Sequence, residues 1–468
     1  MDQLHAIDSL FLDIENDEVQ ANIGGMSIFE GPAPSYSEMA QQIESALTHV
    51  PRYRQRLKFL PLRFGRPVWV DDEDFDITCH LIAEKSEVPV TRERVQALAA
   101  EAMAQHLDRS RPLWQIRVVD GLPRGEWALI WTVHHAMVDG IAATDMLALL
   151  LSCEREPTPC AGREWTPRSA PGTTVAMADA LVAPRGPLKP LRDIARVVRK
   201  PHKATEFGRA AARAVIPVGR SLLSRNDSPL NGPIGPARRW ATAELDLSSI
   251  KAVREARCGT VNDVVLAAVT EGLREFLLQR GDELDSCNTR TMVPVSVRTA
   301  DHEGGWANHV SAVFVDLPVA IDDPQERLED ICRQMDHLKA SNGAASAEAM
   351  LELADYVQPS LFALGERALM RVADTQRFVN TVTTNVPGPQ APLYCLGREM
   401  KSLHPFVMLL KDVRIATAIF SYNGGVYFGV TADHDSVPDV DVICRSIESS
   451  LESLSPRAEE PALALASA

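Results

Sequence analysis

The sequence lacks the features that mark exported, membrane-spanning and metal-binding proteins. Its N-terminus is acidic and has no apolar run of signal-peptide length, so we expect a cytoplasmic protein. The longest uncharged stretch, 415–432, is interrupted by Asn423-Gly424-Gly425, which predicts a hairpin rather than the ~20 apolar residues of a membrane helix. The eight cysteines include no C-x-x-C pair and no closely spaced Cys/His set. We therefore expect scattered reduced thiols and no metal site.

A surplus of basic residues is also missing, and this limits the partners of the chain. It has 48 Lys and Arg against 63 Asp and Glu, a net charge of −15, so nucleic acid is not expected as a general partner. The hydrophobic fraction of 45% and the charged fraction of 24% are those of a folded globular protein. The 468 residues amount to about three domains of roughly 150 residues, which excludes a single small binding module.

One segment departs from this acidic composition. Residues 154–236 are rich in proline and glycine, and 185–225 holds eleven basic residues against two acidic ones. Apolar and basic residues alternate there at near-helical spacing, which suits a helix on an anionic lipid surface and equally a basic helix packed on the protein's own acidic surface. We interpret 154–236 as a linker between an N-terminal lobe, 1–153, and a C-terminal lobe, 237–455, followed by a flexible tail, 456–468.

The apolar spacing in the two lobes predicts a mixture of helices and strands. In the N-terminal lobe, helices are expected at 37–49 and 91–107, with Ser37 and Thr91 as N-caps. In the C-terminal lobe, the same spacing predicts helices before Gly259, from near Asn262, at 324–339 and at 347–370. Strands are predicted at 289–297, 309–319, 378–386, 413–422 and 426–432.

The most informative segment is His-His-x-x-x-Asp-Gly, which follows a hairpin predicted at 114–134. Neighbouring residues of a strand face opposite sides, so His134 and His135 are not expected to share one metal site. One imidazole, with a pKa near ~6.5, can take a proton from an attacking alcohol and return it to a leaving group. Asp139 and Gly140 would turn the chain, and the carboxylate could pair with an arginine. The alternative for the histidines is a purely structural role.

With its His-His-x-x-x-Asp-Gly segment, the chain resembles the bacterial wax ester synthase/diacylglycerol acyltransferase family, which includes the mycobacterial triacylglycerol synthases. The similar segments occur in family order over nearly the whole chain. They are LHAIDSLFLDIE, IFEGP, PVWVDDEDFD, LDRSRPLW, HHAMVDG, SPLNGPIGPARR, TVNDVVLA, MVPVSVR, DDPQERL, TNVPGP and SYNGGVYFGVTAD.

The resemblance implies a mixed α/β fold of two chloramphenicol acetyltransferase-like lobes with an active-site tunnel between them. It assigns the catalytic base to His135 and a supporting position to His134. Asp139 is implied to form a structural ion pair, and Gly140 completes the signature.

Two further family motifs fall on this sequence. Asn262 matches an asparagine near the active site that could donate a hydrogen bond to the oxyanion, and it could instead cap the following helix. Asp263 is expected to act through structure, with Arg298 as its partner. The Pro-Leu-Trp motif falls on Pro112-Leu113-Trp114, for which we expect a packing role.

The function that the resemblance implies is acyl-CoA-dependent O-acyl transfer. Long-chain acyl-CoA would be a substrate, no cofactor is expected, and the acceptor would be diacylglycerol or a long-chain fatty alcohol. No acyl-enzyme is expected, because the chain has no G-x-S-x-G nucleophile motif. Two alternatives remain, namely transfer to a glycolipid or polyketide-derived hydroxyl, and a catalytically silent lipid-binding protein. Residues 185–225 would provide peripheral attachment to the inner membrane or to lipid droplets.

Overall fold

A computed structural model describes most of the two lobes. The described residues are 2–61, 66–84, 89–137, 150–156, 165–170, 172, 228–257, 259–287, 289–296, 310–340 and 378–454. Four of the sequence predictions, Asp139, Gly140, Arg298 and the helix at 347–370, lie outside the described residues. The same holds for 173–227, the larger part of the linker.

Within the described ranges the chain forms seven α-helices and fourteen β-strands. The helices are α1 (Ala6–Ile14), α2 (Tyr36–Ala46), α3 (Arg92–Ala104), α4 (Leu247–Ala256), α5 (Val261–Gln279), α6 (Pro324–Ala340) and α7 (Asp441–Leu454). The strands are β1 (Asn22–Phe29), β2 (Gln55–Lys58), β3 (Val68–Asp71), β4 (Leu81–Glu84), β5 (Trp114–Val119), β6 (Trp127–His134), β7 (Arg238–Asp246), β8 (Thr289–Ser296), β9 (Val310–Leu317), β10 (Thr381–Pro387), β11 (Tyr394–Cys395), β12 (Arg398–Phe406), β13 (Ile415–Tyr422) and β14 (Gly425–Asp433).

Two six-stranded sheets organise these elements. The first has the order β11-β12-β1-β6-β5-β4, and the second has the order β7-β14-β13-β10-β8-β9. β12 pairs with β1 in antiparallel register, although it follows β10 of the second sheet in the chain. Residues 394–406 of the predicted C-terminal lobe thus add two strands to the sheet of the N-terminal lobe.

The hairpin predicted at 114–134 is confirmed. β5 and β6 pair in antiparallel register, and all eight residues of β6 are buried. β1 flanks β6 on its other edge, with Asn22 opposite His134. Because β6 has a partner on both sides, the point at which it ends is fixed by two neighbouring strands.

The helix starts show which polar residues act as caps. The Thr91 side chain accepts a hydrogen bond from the Arg94 amide, which confirms Thr91 as the N-cap of α3. The prediction of Ser37 as the cap of α2 is wrong. Ser35 caps that helix and forms a reciprocal capping box with Glu38, which supplies a partner to two end amides at once. No helix in the described part of the chain combines the length and apolar character needed to cross a membrane.

The second sheet follows the sequence predictions closely. β13 and β14 form the expected hairpin, and Asn423 and Gly424 at its turn have φ values of 44° and 85°. Two successive positive φ values match the right-handed twist of the strands, which is why the turn uses Asn-Gly. α5 and α7 lie against each other and carry the core of this lobe.

The two sheets approach each other closely at a glycine. A Cβ atom on Gly429 of β14 would lie 1.7 Å from the Pro405 carbonyl oxygen of β12 and 2.7 Å from Trp240 Nε1. No side chain fits in that space without moving backbone, so the seam between the sheets requires glycine there.

Candidate active site

His135 begins a short 3₁₀ turn, His135–Met137, directly after β6. Its amide donates to the Ala21 carbonyl at 2.7 Å, and its ring stacks on Phe11 of α1 with centroids 3.7 Å apart and planes 14° apart. The residue is partly exposed, but its Nδ1 atom is buried and has no hydrogen-bond partner among the described residues. The backbone and one face of the ring are thus fixed while a nitrogen stays unpaired.

The surroundings of His135 keep its ring neutral. Burial lowers the pKa of the imidazole from 6.5 to about 4, against a smaller opposing effect of its own backbone. A neutral imidazole at neutral pH has a lone pair available, which is the state that a general base requires.

We expect the acid limb of the pH dependence of kcat/KM to fall at about pH 4 rather than near 6.5. Because burial favours the neutral ring, the active form persists as pH falls until the lowered pKa is reached. Initial rates of acyl transfer across this range, with circular dichroism at each pH to confirm folding, measure the midpoint. A midpoint at 6.5 in the folded protein would show that His135 is not desolvated.

The ring of His134 contacts a different set of groups. His134 is buried, its amide donates to the Leu113 carbonyl at 2.9 Å, and its Nδ1 accepts from the Ala136 amide at 3.0 Å. Its Nε2 lies 3.4 Å from Glu15 Oε1, which is within ion-pair distance but without the geometry of a hydrogen bond. The strand thus directs the two adjacent rings to different surroundings, and His134 braces the backbone that presents His135.

Glu15 is a site residue that the sequence analysis missed. Its side chain is only 3% exposed, and its Oε2 accepts from Arg109 at 2.7 Å. Burial alone would raise the pKa of Glu15, but the neighbouring His134 and Arg109 outweigh it and hold that pKa at about 2. Glu15 lies in the family segment LHAIDSLFLDIE, and Arg109 lies in LDRSRPLW. Membership in these segments was the only signal in the sequence that could have identified the two residues.

The Asn262-Asp263 pair lies in the first turn of α5. Thr260 is the N-cap and shares a capping box with Asp263, so the alternative of Asn262 as the cap is wrong. Asn262 Oδ1 accepts from Asn385 Nδ2 at 3.1 Å, which joins α5 to the TNVPGP segment at the end of β10. With its oxygen occupied, Asn262 keeps its amide nitrogen as a donor.

Asp263 is fully buried, and one of its oxygens has no hydrogen-bond partner among the described residues. The other oxygen accepts from the Thr260 amide at 2.7 Å. Arg298, its expected partner, lies outside those residues, as do Asp139 and Gly140, so the roles of these residues stay predictions.

The Pro-Leu-Trp motif lies beside the end of β6. Leu113 and Trp114 are buried, and the Leu113 carbonyl is the acceptor for the His134 amide. Trp114 donates from Nε1 to the Tyr53 carbonyl at 2.8 Å and stacks on His80 at 4.4 Å. The motif packs beneath the strand end and contributes one backbone contact to it.

The candidate site lies at the seam of the two lobes. Phe11, which stacks on His135, packs against an apolar cluster formed by residues of both lobes. Its buried members are Val19, Ala21, Ile234, Val382, Met408, Leu409 and Ala416. A buried apolar cluster formed by both lobes therefore lies next to the ring that stacks on the histidine.

The described residues contain no group of three or more His, Cys, Asp or Glu side chains arranged to hold a metal ion. None of the six described cysteines forms a disulfide bond. Cys160 and Cys258 lie outside the described residues.

Comparisons with known proteins cover both lobes. Residues 4–265 match the wax ester synthase/diacylglycerol acyltransferase catalytic domain, and residues 306–455 match the WS/DGAT C-terminal domain. The chain is 34% identical over 457 residues to the probable diacylglycerol O-acyltransferase tgs1 of Mycobacterium tuberculosis, covering 97% of this chain and 96% of that protein.

Solved structures show the same fold. The wax ester synthase/diacylglycerol acyltransferase from Marinobacter aquaeolei VT8 superimposes with a TM-score of 0.68 at 24% identity, covering 97% of this chain and 98% of that one. A starter condensation domain of rhizomide synthetase, in complex with C8-CoA, gives a TM-score of 0.58 at 12% identity, with 97% and 95% coverage. The expected fold of two chloramphenicol acetyltransferase-like lobes is thereby confirmed.

Proposed function

The chain belongs to the wax ester synthase/diacylglycerol acyltransferase family, and on this premise we propose that it transfers a fatty acyl group from acyl-CoA to a lipid hydroxyl. The product is triacylglycerol when the acceptor is diacylglycerol and wax ester when it is a long-chain alcohol. The observation that carries the proposal is His135, a neutral imidazole with an unpaired ring nitrogen, stacked on Phe11 next to the apolar cluster formed by both lobes.

His135 acts as the general base. Its ring takes the proton of the acceptor hydroxyl as the oxygen attacks the thioester carbonyl, and a tetrahedral intermediate forms. The intermediate collapses to the ester and CoA thiolate, and the imidazolium returns the proton to that thiolate. The lowered pKa of His135 favours this return, because it makes the imidazolium a stronger acid than that of an ordinary histidine.

Asn262 is proposed to stabilise the oxyanion. Its amide oxygen is held by Asn385, which leaves the NH₂ group to donate and fixes the plane of the amide. A donor that is fixed before the reaction stabilises developing charge more than a mobile one, because no reorganisation is needed.

The proposed reaction needs no cofactor from the protein. A thioester carbonyl is already activated toward attack, so a positioned base and an oxyanion donor suffice. Long-chain acyl-CoA and the lipid alcohol are substrates, and the proposed path for them is a tunnel along the seam between the lobes.

A panel of acceptors tests the proposal. Purified protein is supplied with palmitoyl-CoA and, in separate reactions, with dioleoylglycerol, hexadecanol or a glycolipid alcohol, and thiol release and ester products are measured. We expect ester formation with dioleoylglycerol, hexadecanol or both. Turnover with the glycolipid alcohol alone would show that the acceptor is a glycolipid hydroxyl. Lipid binding without turnover of any alcohol would establish the alternative of a catalytically silent lipid-binding protein.

The basic part of the linker is proposed to attach the enzyme to an anionic lipid surface. Each basic residue near such a surface contributes about 1 kcal/mol, so half of the eleven at 185–225 could overcome the repulsion from a chain of net charge −15. The lipid alcohol and the ester product partition into lipid, so an enzyme attached to a lipid surface lies where its acceptor is found and its product is released.

Replacing five linker residues by glutamine is expected to weaken sedimentation with anionic liposomes while leaving binding to neutral vesicles unchanged. The residues are Lys189, Arg192, Arg196, Arg199 and Lys200. A matched control replaces five exposed basic residues elsewhere, namely Arg94, Lys251, Arg257, Arg333 and Lys339. Equal binding of the linker variant and the wild type to anionic vesicles would favour packing of the segment on the protein's own surface.

A further inference from the structure

The buried carboxylate of Glu15 contacts His134, the residue that precedes the candidate base in the chain. Glu15 Oε1 lies 3.4 Å from His134 Nε2, and Oε2 accepts from Arg109 at 2.7 Å. The Ala21 amide donates to Oε1 at 3.3 Å, and the half-exposed His106 has its Nδ1 3.6 Å from the same oxygen. Donors therefore approach both oxygens of one carboxylate.

The hydrogen bonds of His134 determine which of its nitrogens carries a proton. Nδ1 accepts from the Ala136 amide, so it must be the unprotonated nitrogen. The proton of a neutral ring is then on Nε2, which is the atom that faces Glu15. The carboxylate favours this tautomer, and this tautomer is the one that can hold the Ala136 amide.

The Ala136 amide follows His135 directly in the chain. A ring that holds this amide fixes the backbone turn from which the His135 side chain extends. Glu15 is itself held in place, because Arg109 bonds to its carboxylate and donates to the Leu12 carbonyl of α1 at 2.9 Å. The same helix carries Phe11, which stacks on His135.

We propose that Glu15 is a positioning residue for acyl transfer, acting through His134 on the backbone turn that presents His135. Glu15 does not contact the substrate in this proposal. The inference rests on the proposed function, in which His135 is the general base. A pKa of about 2 keeps the carboxylate ionised at every pH at which the enzyme would work.

Glu15→Gln is the matched substitution because it preserves size and removes charge. A carboxylate accepts hydrogen bonds on both oxygens, whereas the amide of Gln has one acceptor oxygen and one donor NH₂ group. One of the donors that contact Glu15 therefore meets the NH₂ group and loses its acceptor. We expect kcat to fall about 10- to 100-fold with KM unchanged, since small misplacements of a catalytic group have effects of this size. Glu18→Gln, at an exposed carboxylate three residues along the chain, is the control and should retain wild-type kcat.

A double-mutant cycle separates positioning from general destabilisation. If Glu15 acts through His134, then Glu15→Gln should have little further effect on kcat in the His134→Ala background. Wild-type kcat in Glu15→Gln, or independent effects of the two substitutions, would overturn the proposal. An inactive wild type would instead refute the proposed function, and the role of Glu15 would then be tested by the second measurement alone.

A second measurement uses the wild-type protein and does not depend on the folding of a variant. Nitrogen NMR of ¹⁵N-labelled histidine, with the His134 signals assigned by their loss in His134→Ala, reports which ring nitrogen carries the proton. We expect Nε2 to be protonated and Nδ1 to be unprotonated at neutral pH. A ring protonated at Nδ1 would contradict the proposal whatever the activity of the variants.

Discussion

His135→Ala is expected to lower acyl transfer about 10²- to 10⁴-fold while the protein stays folded. Losing a general base has effects of this size, and the same ring also returns the proton to the leaving thiolate. Because His135 is partly exposed and its Nδ1 has no described partner, removing its side chain leaves no buried polar group unpaired. The measurement is the initial rate of ester formation with dioleoylglycerol and with hexadecanol, together with a thermal melt.

His134→Ala is the comparison for this variant. Its activity should exceed that of His135→Ala, because His134 contacts Glu15 and the backbone and is not the proposed base. Its thermal stability should fall, because the buried Glu15 loses a partner. If His135→Ala kept more than a tenth of wild-type activity with both acceptors, the assignment of the base would be wrong.

Gly429→Val is expected to have the largest effect on the fold, lowering the free energy of unfolding by about 3 kcal/mol or more. A Cβ at this position would lie 1.7 Å from the Pro405 carbonyl oxygen, so the backbones of β14 and β12 would have to separate. The apolar cluster at the seam would open with them, and activity should fall together with stability. Denaturant midpoints of the purified proteins measure the change.

Gly172→Val controls for the added side chain, because a Cβ on Gly172 meets no atom within 4 Å. Its midpoint should equal that of the wild type. A wild-type midpoint for Gly429→Val would show that the two sheets do not meet as closely as described.

Elements with strong local patterns were predictable from the sequence. In the 114–134 hairpin, β5 alternates buried and partly exposed residues and β6 is an almost continuous apolar run, with a short turn between them. α3 begins at a threonine followed by a clear helical spacing. The cap of α2 was misassigned because Ser35 and Ser37 are both good caps. Only Ser35 has a Glu three residues later, which is the capping-box signal that decides between them.

Contacts between distant segments were not predictable from local patterns. β12 pairs with β1 across more than 370 residues of sequence, counted from Ile28 to Ser402, and nothing in either strand specifies that partner. Glu15 looks like an ordinary solvent-exposed acid at a helix end until the fold brings Arg109 and His134 to it. The family segments indicated which parts of the chain form the site. The hydrogen bonds within the site could be identified only from the structure.

The proposed mechanism is direct transfer of the acyl group from the thioester to the hydroxyl. It is tested by incubating the wild-type protein with radiolabelled palmitoyl-CoA, first without and then with dioleoylglycerol, and measuring free CoA, labelled protein and labelled lipid. Direct transfer predicts no covalently labelled protein, and release of CoA only after the alcohol is added, in equal amount to the triacylglycerol formed. Label that accumulates on the protein without an acceptor and is discharged by the alcohol would contradict it.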